Sequence, residues 1–251
     1  MAMGPTPFGP SQTIVQLYHE LAAAGYGPGD LHQVGRAHEF VTLLFGGQMR
    51  SCGRPFTCHT VGTASVAHRF GGGMREILAG LLHAAYEFGD FGDHVPAANA
   101  ARREKVLTVV GPDTEAVLLG FFRFEWTYLI EQAPRMAQLV AGCDEAERAA
   151  LFVIVCNEIE QLPDMPYASD QSRERVLKRY DACLAIARAI GREDIAQRYD
   201  EQYRQVRAAA KPIAGNAGNI VFPYLVPPLS YTKRISARMR EFVHHQRKRF
   251  T

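Results

Sequence analysis

Three residues carry the first chemical signal in this sequence: His59, His83 and Glu87. Each histidine lies in an apolar-patterned segment, and Glu87 follows His83 by four positions, which on one continuous helix puts both on the same face. Imidazole titrates near neutrality, so the three side chains suit acid, base and orienting roles. They also form a two-His-one-carboxylate set, which suits iron or zinc with open positions, and Asp90 or Asp93 could fold back from the next loop to join it. A second signal comes from 153–162, where Asn157, Glu158, Glu160 and Gln161 interrupt an otherwise apolar helix. Polar groups on core-facing helices need partners, and three such helices converging would build a polar pocket. Arg50 and Tyr86 suit an anionic or aromatic ligand, Arg50 through its planar fork. Each of these residues also has a plainer reading: a hydrogen-bonded core histidine, a solvated loop arginine, a core ring.

The elements that must position them read as helices. Ser11 can cap a first helix, with Ile14, Val15, Leu17, Tyr18, Leu21 and Ala22 at helical spacing and Gly25 closing it. A second spans about 30–45 and stops at Gly46-Gly47. Gly53 and Pro55 make 50–56 a loop. The helix of His59 runs to Arg69 before three glycines, and the next starts near Met74 and carries on through Glu87. Further helices are expected at about 97–107, 113–122, 145–161, 170–190 and 193–209. No segment alternates with a two-residue period between hairpin turns, so the expected class is all-α. Residues 1–210 are expected to form one helical domain, followed by a proline-containing linker and basic segment over 211–251.

The order of motifs is itself informative. Gly47-Gln48-Met49-Arg50 through Gly53-Arg54-Pro55-Phe56-Thr57-Cys58-His59 is followed by Ala79-Gly80-Leu81-Leu82-His83-Ala84-Ala85-Tyr86-Glu87-Phe88. Then come 109–117, 152–165 and 180–195. In this order and spacing, over roughly 30–210, the chain resembles the hydrolase domain of RelA/SpoT-type alarmone (ppGpp) enzymes, a branch of the HD superfamily. With no synthetase segment following, it is expected to be a stand-alone unit. The resemblance implies an HD-like helical bundle in which manganese is held by a His, a His-Asp pair and a distant Asp, with a Glu-Asp pair positioning water. Carried over, His59 and His83 match the two histidine ligands, Glu87 the water-positioning glutamate and Arg50 the nucleotide-facing arginine. The pair's Asp is Ala84, the distant Asp is Asn157, the second water-positioning acid is Phe88, and a histidine five positions before the arginine is Phe45. A hard cation wants carboxylate oxygens, so the inherited manganese reaction is not expected. The expected function is that of a diverged phosphohydrolase-like protein, using acid–base chemistry on a small nucleotide-like or phosphorylated metabolite. The alternative is an inactive pseudo-hydrolase that binds a ligand or protein partner. Alarmone hydrolysis through a rebuilt metal site is a third reading.

Composition narrows the surroundings. The 251 residues are 47% hydrophobic, which suits a globular core, and the net charge of +2 does not argue for nucleic acid. The balance hides a local excess, because Lys233, Arg234, Arg238, Arg240, Arg247, Lys248 and Arg249 crowd the last segment among Tyr231, Phe242, His244 and His245. Phosphate backbones, acidic lipids, solvent or a second subunit would each accommodate that charge, and a homodimer is compatible with it. No apolar run is long enough to span a bilayer, the first ten residues lack a secretory pattern, and five scattered cysteines read as reduced thiols of a cytoplasm. The aromatic run 121–128 stands where the resembled family is basic and reads as extra core, a lid or a pocket wall. His94 is a weaker candidate for the pocket mouth, and His68-Arg69 reads as surface.

Overall fold

The computed structural model describes residues 9–92 and 96–208. Asp93, His94 and the basic segment 211–251 lie outside the described residues. The described chain is helical: α1 (Ile14–Ala23), α2 (Pro28–Phe45), α3 (Phe56–Arg69), α4 (Met74–Leu82), the single turn α5 (Ala85–Phe88), α6 (Ala100–Arg123), α7 (Trp126–Gln132), α8 (Met136–Gly142), α9 (Glu145–Gln161), α10 (Asp170–Leu177), α11 (Tyr180–Ala189) and α12 (Glu193–Ala208). Among the described residues the β structure is one isolated bridge, Met49 to Pro55, which pinches the loop ahead of α3.

The centre of the fold is α9. Asp144 caps it reciprocally with Glu147, at 2.8 and 3.0 Å, and from Ala149 to Gln161 every residue is buried. A helix buried all round has no polar face, so its polar residues must find partners inside the protein. Helices α3, α4 and α6 surround it. Burying side chains such as Leu151 or Leu81 stabilises the core by roughly 1.5–3 kcal/mol each. The crossing of α3 and α4 is close because Gly80 has no side chain: a Cβ there would lie 2.8 Å from the Ala64 Cα.

Several expected boundaries shift. Thr13, not Ser11, caps α1, with Gln16 completing the box; Ser11 instead bonds Glu20 at 2.6 Å and Ser65 through its backbone at 3.0 Å. The helix holding His83 does not continue through Glu87. It ends at Leu82, and α5 restarts after a tight turn at His83-Ala84, where Glu87 N–H bonds the Ala84 carbonyl three residues back. The expected helices 97–107 and 113–122 are the two halves of α6, separated at Gly111, whose φ of 78° is open to glycine, with Pro112 starting the second half. The stretch 170–190 is likewise two helices, broken at Lys178-Arg179. Among the described residues no helix is long and apolar enough to cross a membrane.

Candidate functional site

His59, one turn into α3, and His83, at the end of α4, meet edge to face with ring centroids 5.1 Å apart. Both are almost sealed, at 2% and 5% exposed. Each commits the same nitrogen. His59 Nδ1 bonds the Glu160 carboxylate, and His83 Nδ1 donates to the Gly80 carbonyl at 2.8 Å. The Gly80 carbonyl has no proton to give, so Nδ1 is the protonated nitrogen of His83 and Nε2 carries its lone pair.

Burial holds the His59 imidazole well below its ordinary range, reinforced by the charges of Arg50 and Arg54. Burial, then His59, lowers His83 to about 3. Both rings are therefore neutral near pH 7. Phenylalanines complete the surround: Phe56 stands edge-on to His59 at 5.5 Å and stacks on Phe45 at 4.8 Å, while Phe121 lies 5.1 Å from His83.

The end of α9 supplies the polar floor. Asn157 lies beside His59 and acts on it through a side-chain polar contact that raises the imidazole, while among the described residues its buried Oδ1 makes no hydrogen bond of full geometry. Glu158 is fully buried; Oε1 takes Arg179 at 2.7 Å and Gln161, and Oε2 has no partner. Arg50 reaches in from the loop ahead of α3 and donates to the side-chain amide oxygen of Gln161 at 2.7 Å. Among the described residues no carboxylate pairs directly with Arg50, yet its charge acts on both histidines and on Glu158, Glu160 and Asp164.

The structure sorts the expected site residues. His59, His83, Asn157, Glu158 and Arg50 converge. Tyr86 is buried one turn from His83, but its hydroxyl bonds Glu115 at 2.7 Å, and Arg103 clamps that carboxylate at 2.7 and 2.9 Å. Glu87 is exposed beyond the turn at His83-Ala84; burial raises its carboxyl, and the charges of Arg179, which also holds Glu158, and Arg175 lower it. From the aromatic run, Phe121 packs on His83, Phe122 on Tyr86, and Trp126 under the Arg179 guanidinium at 4.3 Å.

Two residues were missed. Glu160 holds His59, and Arg54 spans Glu160 and Asp164, each at 2.7 Å. Glu160 stood in the polar run, but nothing in a helix without a polar face says which acid turns toward which neighbour. The metal donors are correspondingly few. Among the described residues no group of three His, Cys, Asp or Glu side chains could hold an ion. Glu158 and Glu160 are taken up by arginines, Ala84 has no donor, and Asn157 offers a neutral oxygen.

No protein-family model matches the chain, and no curated protein matches it in sequence. Solved structures do match. The helical arrangement, with its two histidines on successive core helices, is the all-α, HD-like fold. One similar structure is described as a metazoan ortholog of SpoT that hydrolyses ppGpp and plays a role in starvation responses. The match has a TM-score of 0.51 at 16% identity and covers 69% of this chain and 94% of that one. At that identity the likeness speaks for the fold; the chemistry must be argued from the residues above.

Proposed function

We propose that this chain is a diverged HD-type, hydrolase-like protein whose His59–His83 site takes a small phosphorylated or nucleotide-like metabolite and acts on it by acid–base chemistry. Arg50 carries this reading: a half-buried guanidinium that, among the described residues, bonds a neutral amide and no carboxylate, beside two neutral imidazoles and the buried Asn157 amide oxygen. A planar cation without a carboxylate suits the anionic end of such a ligand. The amide oxygen beside it suits a hydroxyl or amine. His59 and His83 then serve as proton acceptors. The donor set does not fit the inherited manganese ion, which prefers carboxylate oxygens, so no step is assigned to a metal.

The second reading, a pseudo-hydrolase that binds without turnover, is favoured by the low basicity of His83 and by the spending of Glu160 on internal ion pairs. One experiment separates the two. Full-length protein is incubated with ppGpp, GDP and sugar phosphates, with and without manganese, while phosphate release and binding are followed. Metal-independent turnover that disappears in His83→Ala supports the first reading, and binding without turnover supports the second. Full activity in His83→Ala would place the reaction elsewhere. This reading takes the protein to be cytoplasmic, since all five cysteines are free thiols. Homodimerisation through 211–251 is a separate proposal, read by solution mass with and without that segment.

A further inference from the structure

We propose that Glu160 and Arg54 are positioning residues for His59: Glu160 fixes the imidazole as its Nδ1–H tautomer, leaving Nε2 as the working nitrogen, and Arg54 holds Glu160 in place. The inference rests on reading the His59 site as the working one.

Three observations carry it. First, the His59–Glu160 contact is a side-chain pair between α3 and α9, with Glu160 fully buried and His59 nearly so. A carboxylate facing Nδ1 accepts its proton and excludes the other tautomer. Second, Arg54 grips both oxygens of Glu160, at 2.7 and 2.9 Å, and anchors the assembly to Asp164 at 2.7 Å and to Gln12 at 2.7 Å. A fork on both oxygens fixes the plane of the carboxylate as well as its position. Third, α3 makes room for this acid with a glycine. A Cβ on Gly62 would stand 2.3 Å from Glu160 Oε1 and 2.8 Å from its Cδ, so any larger residue there would displace the carboxylate.

The contrast with His83 shows what the carboxylate adds. The Gly80 carbonyl also selects Nδ1–H, but it brings only a dipole. Glu160 comes from α9 and is forked by Arg54, so it ties His59 to a second element, whereas Gly80 lies one turn back on the helix that His83 ends. Of the two rings, His59 is thus the one whose tautomer is set by side chains that substitution can remove.

The test is long-range proton–nitrogen correlation NMR on full-length, histidine-labelled protein at pH 7.5 without ligand. The His59 signal is assigned by its loss in His59→Gln. The expected wild-type result is a single Nδ1–H tautomer, converted in Glu160→Gln to a mixture or to Nε2–H. If Glu160→Gln does not fold, Arg54→Lys in the partly exposed loop ahead of α3 replaces it; this keeps the charge, removes the fork, and should weaken or shift the Nδ1 proton. An Nε2–H tautomer in wild type, or a His59 spectrum unchanged in Glu160→Gln or Arg54→Lys, overturns the proposal. Because the readout needs no substrate, it separates from the functional reading: a correct tautomer with no phosphorylated ligand bound would sink that reading and leave this one standing.

Discussion

The two histidines touch, yet their surroundings are made of opposite materials. Behind His59 stands charge: Glu160, Arg54 and Asp164 form a chain of ion pairs from the core to the loop. Behind His83 stand a backbone carbonyl and the ring of Phe121. Charge fixes which proton sits where and can answer a change of charge at the ring. Aromatic packing fixes position and penalises charge. The difference implies a division of labour, with His59 oriented by charged side chains and His83 by the backbone and packing.

The largest way to break this comparison is to remove the charge on one side. Glu160→Ala would strip Arg54 of its buried partner and should cost about 3–5 kcal/mol, read by chemical denaturation. A loss below about 1 kcal/mol would mean that the network contributes little.

Acid should act on the other side. His83 is held at about 3 when folded, far below the roughly 6.5 of an unfolded chain. As pH falls below that unfolded value, the unfolded state binds a proton that the folded state refuses. Stability therefore drops by up to about 1.4 kcal/mol per pH unit until the folded value is reached. Nearby carboxylates, such as Glu160, are raised by burial and act in the opposite sense. The quantity to measure is thus the difference in slope between wild type and His83→Gln from pH 7 to 5. Equal slopes would show that His83 is not held neutral.

Gly80 sharpens the His83 side, since its carbonyl holds the ring and its bare Cα lets α4 approach Ala64. Gly80→Ala should cost about 1–3 kcal/mol by overpacking, and an unchanged melting curve would contradict the close crossing. The smallest effect belongs to a third polar group, Tyr86–Glu115–Arg103. Tyr86→Phe removes one hydrogen bond while Arg103 still satisfies Glu115, so denaturation should register about 1 kcal/mol. A loss of several kcal/mol would mean that Tyr86 carries more than that bond.

These contrasts also show what could be read in the chain. Helical periods located most elements, and the gap between the expected 97–107 and 113–122 helices matches the bend at Gly111. The stop at Leu82 was hidden because neither glycine nor proline marks the turn at His83-Ala84. Helices α7 and α8 have seven residues each and bury only Leu129, and Met136 with Val140, too few positions to show a helical period. Of the site, the pairing of His59 with His83 and the polar run at 157–161 were legible as unusual residues on apolar helices. The Arg54–Glu160 link was not, because it joins positions 106 residues apart and depends on Gly62, whose absent side chain leaves no pattern.

The central claim is that this HD-like scaffold recognises a small phosphorylated ligand through Arg50 beside two neutral histidines, without manganese. Calorimetric titration of ppGpp, GDP and sugar phosphates into the full chain in EDTA, repeated with Arg50→Ala, tests it most directly. The account predicts saturable binding of at least one of these ligands in EDTA, reduced at least about tenfold in the variant, equivalent to about 1.4 kcal/mol. Binding that appears only with manganese, or that survives intact in Arg50→Ala, would contradict it.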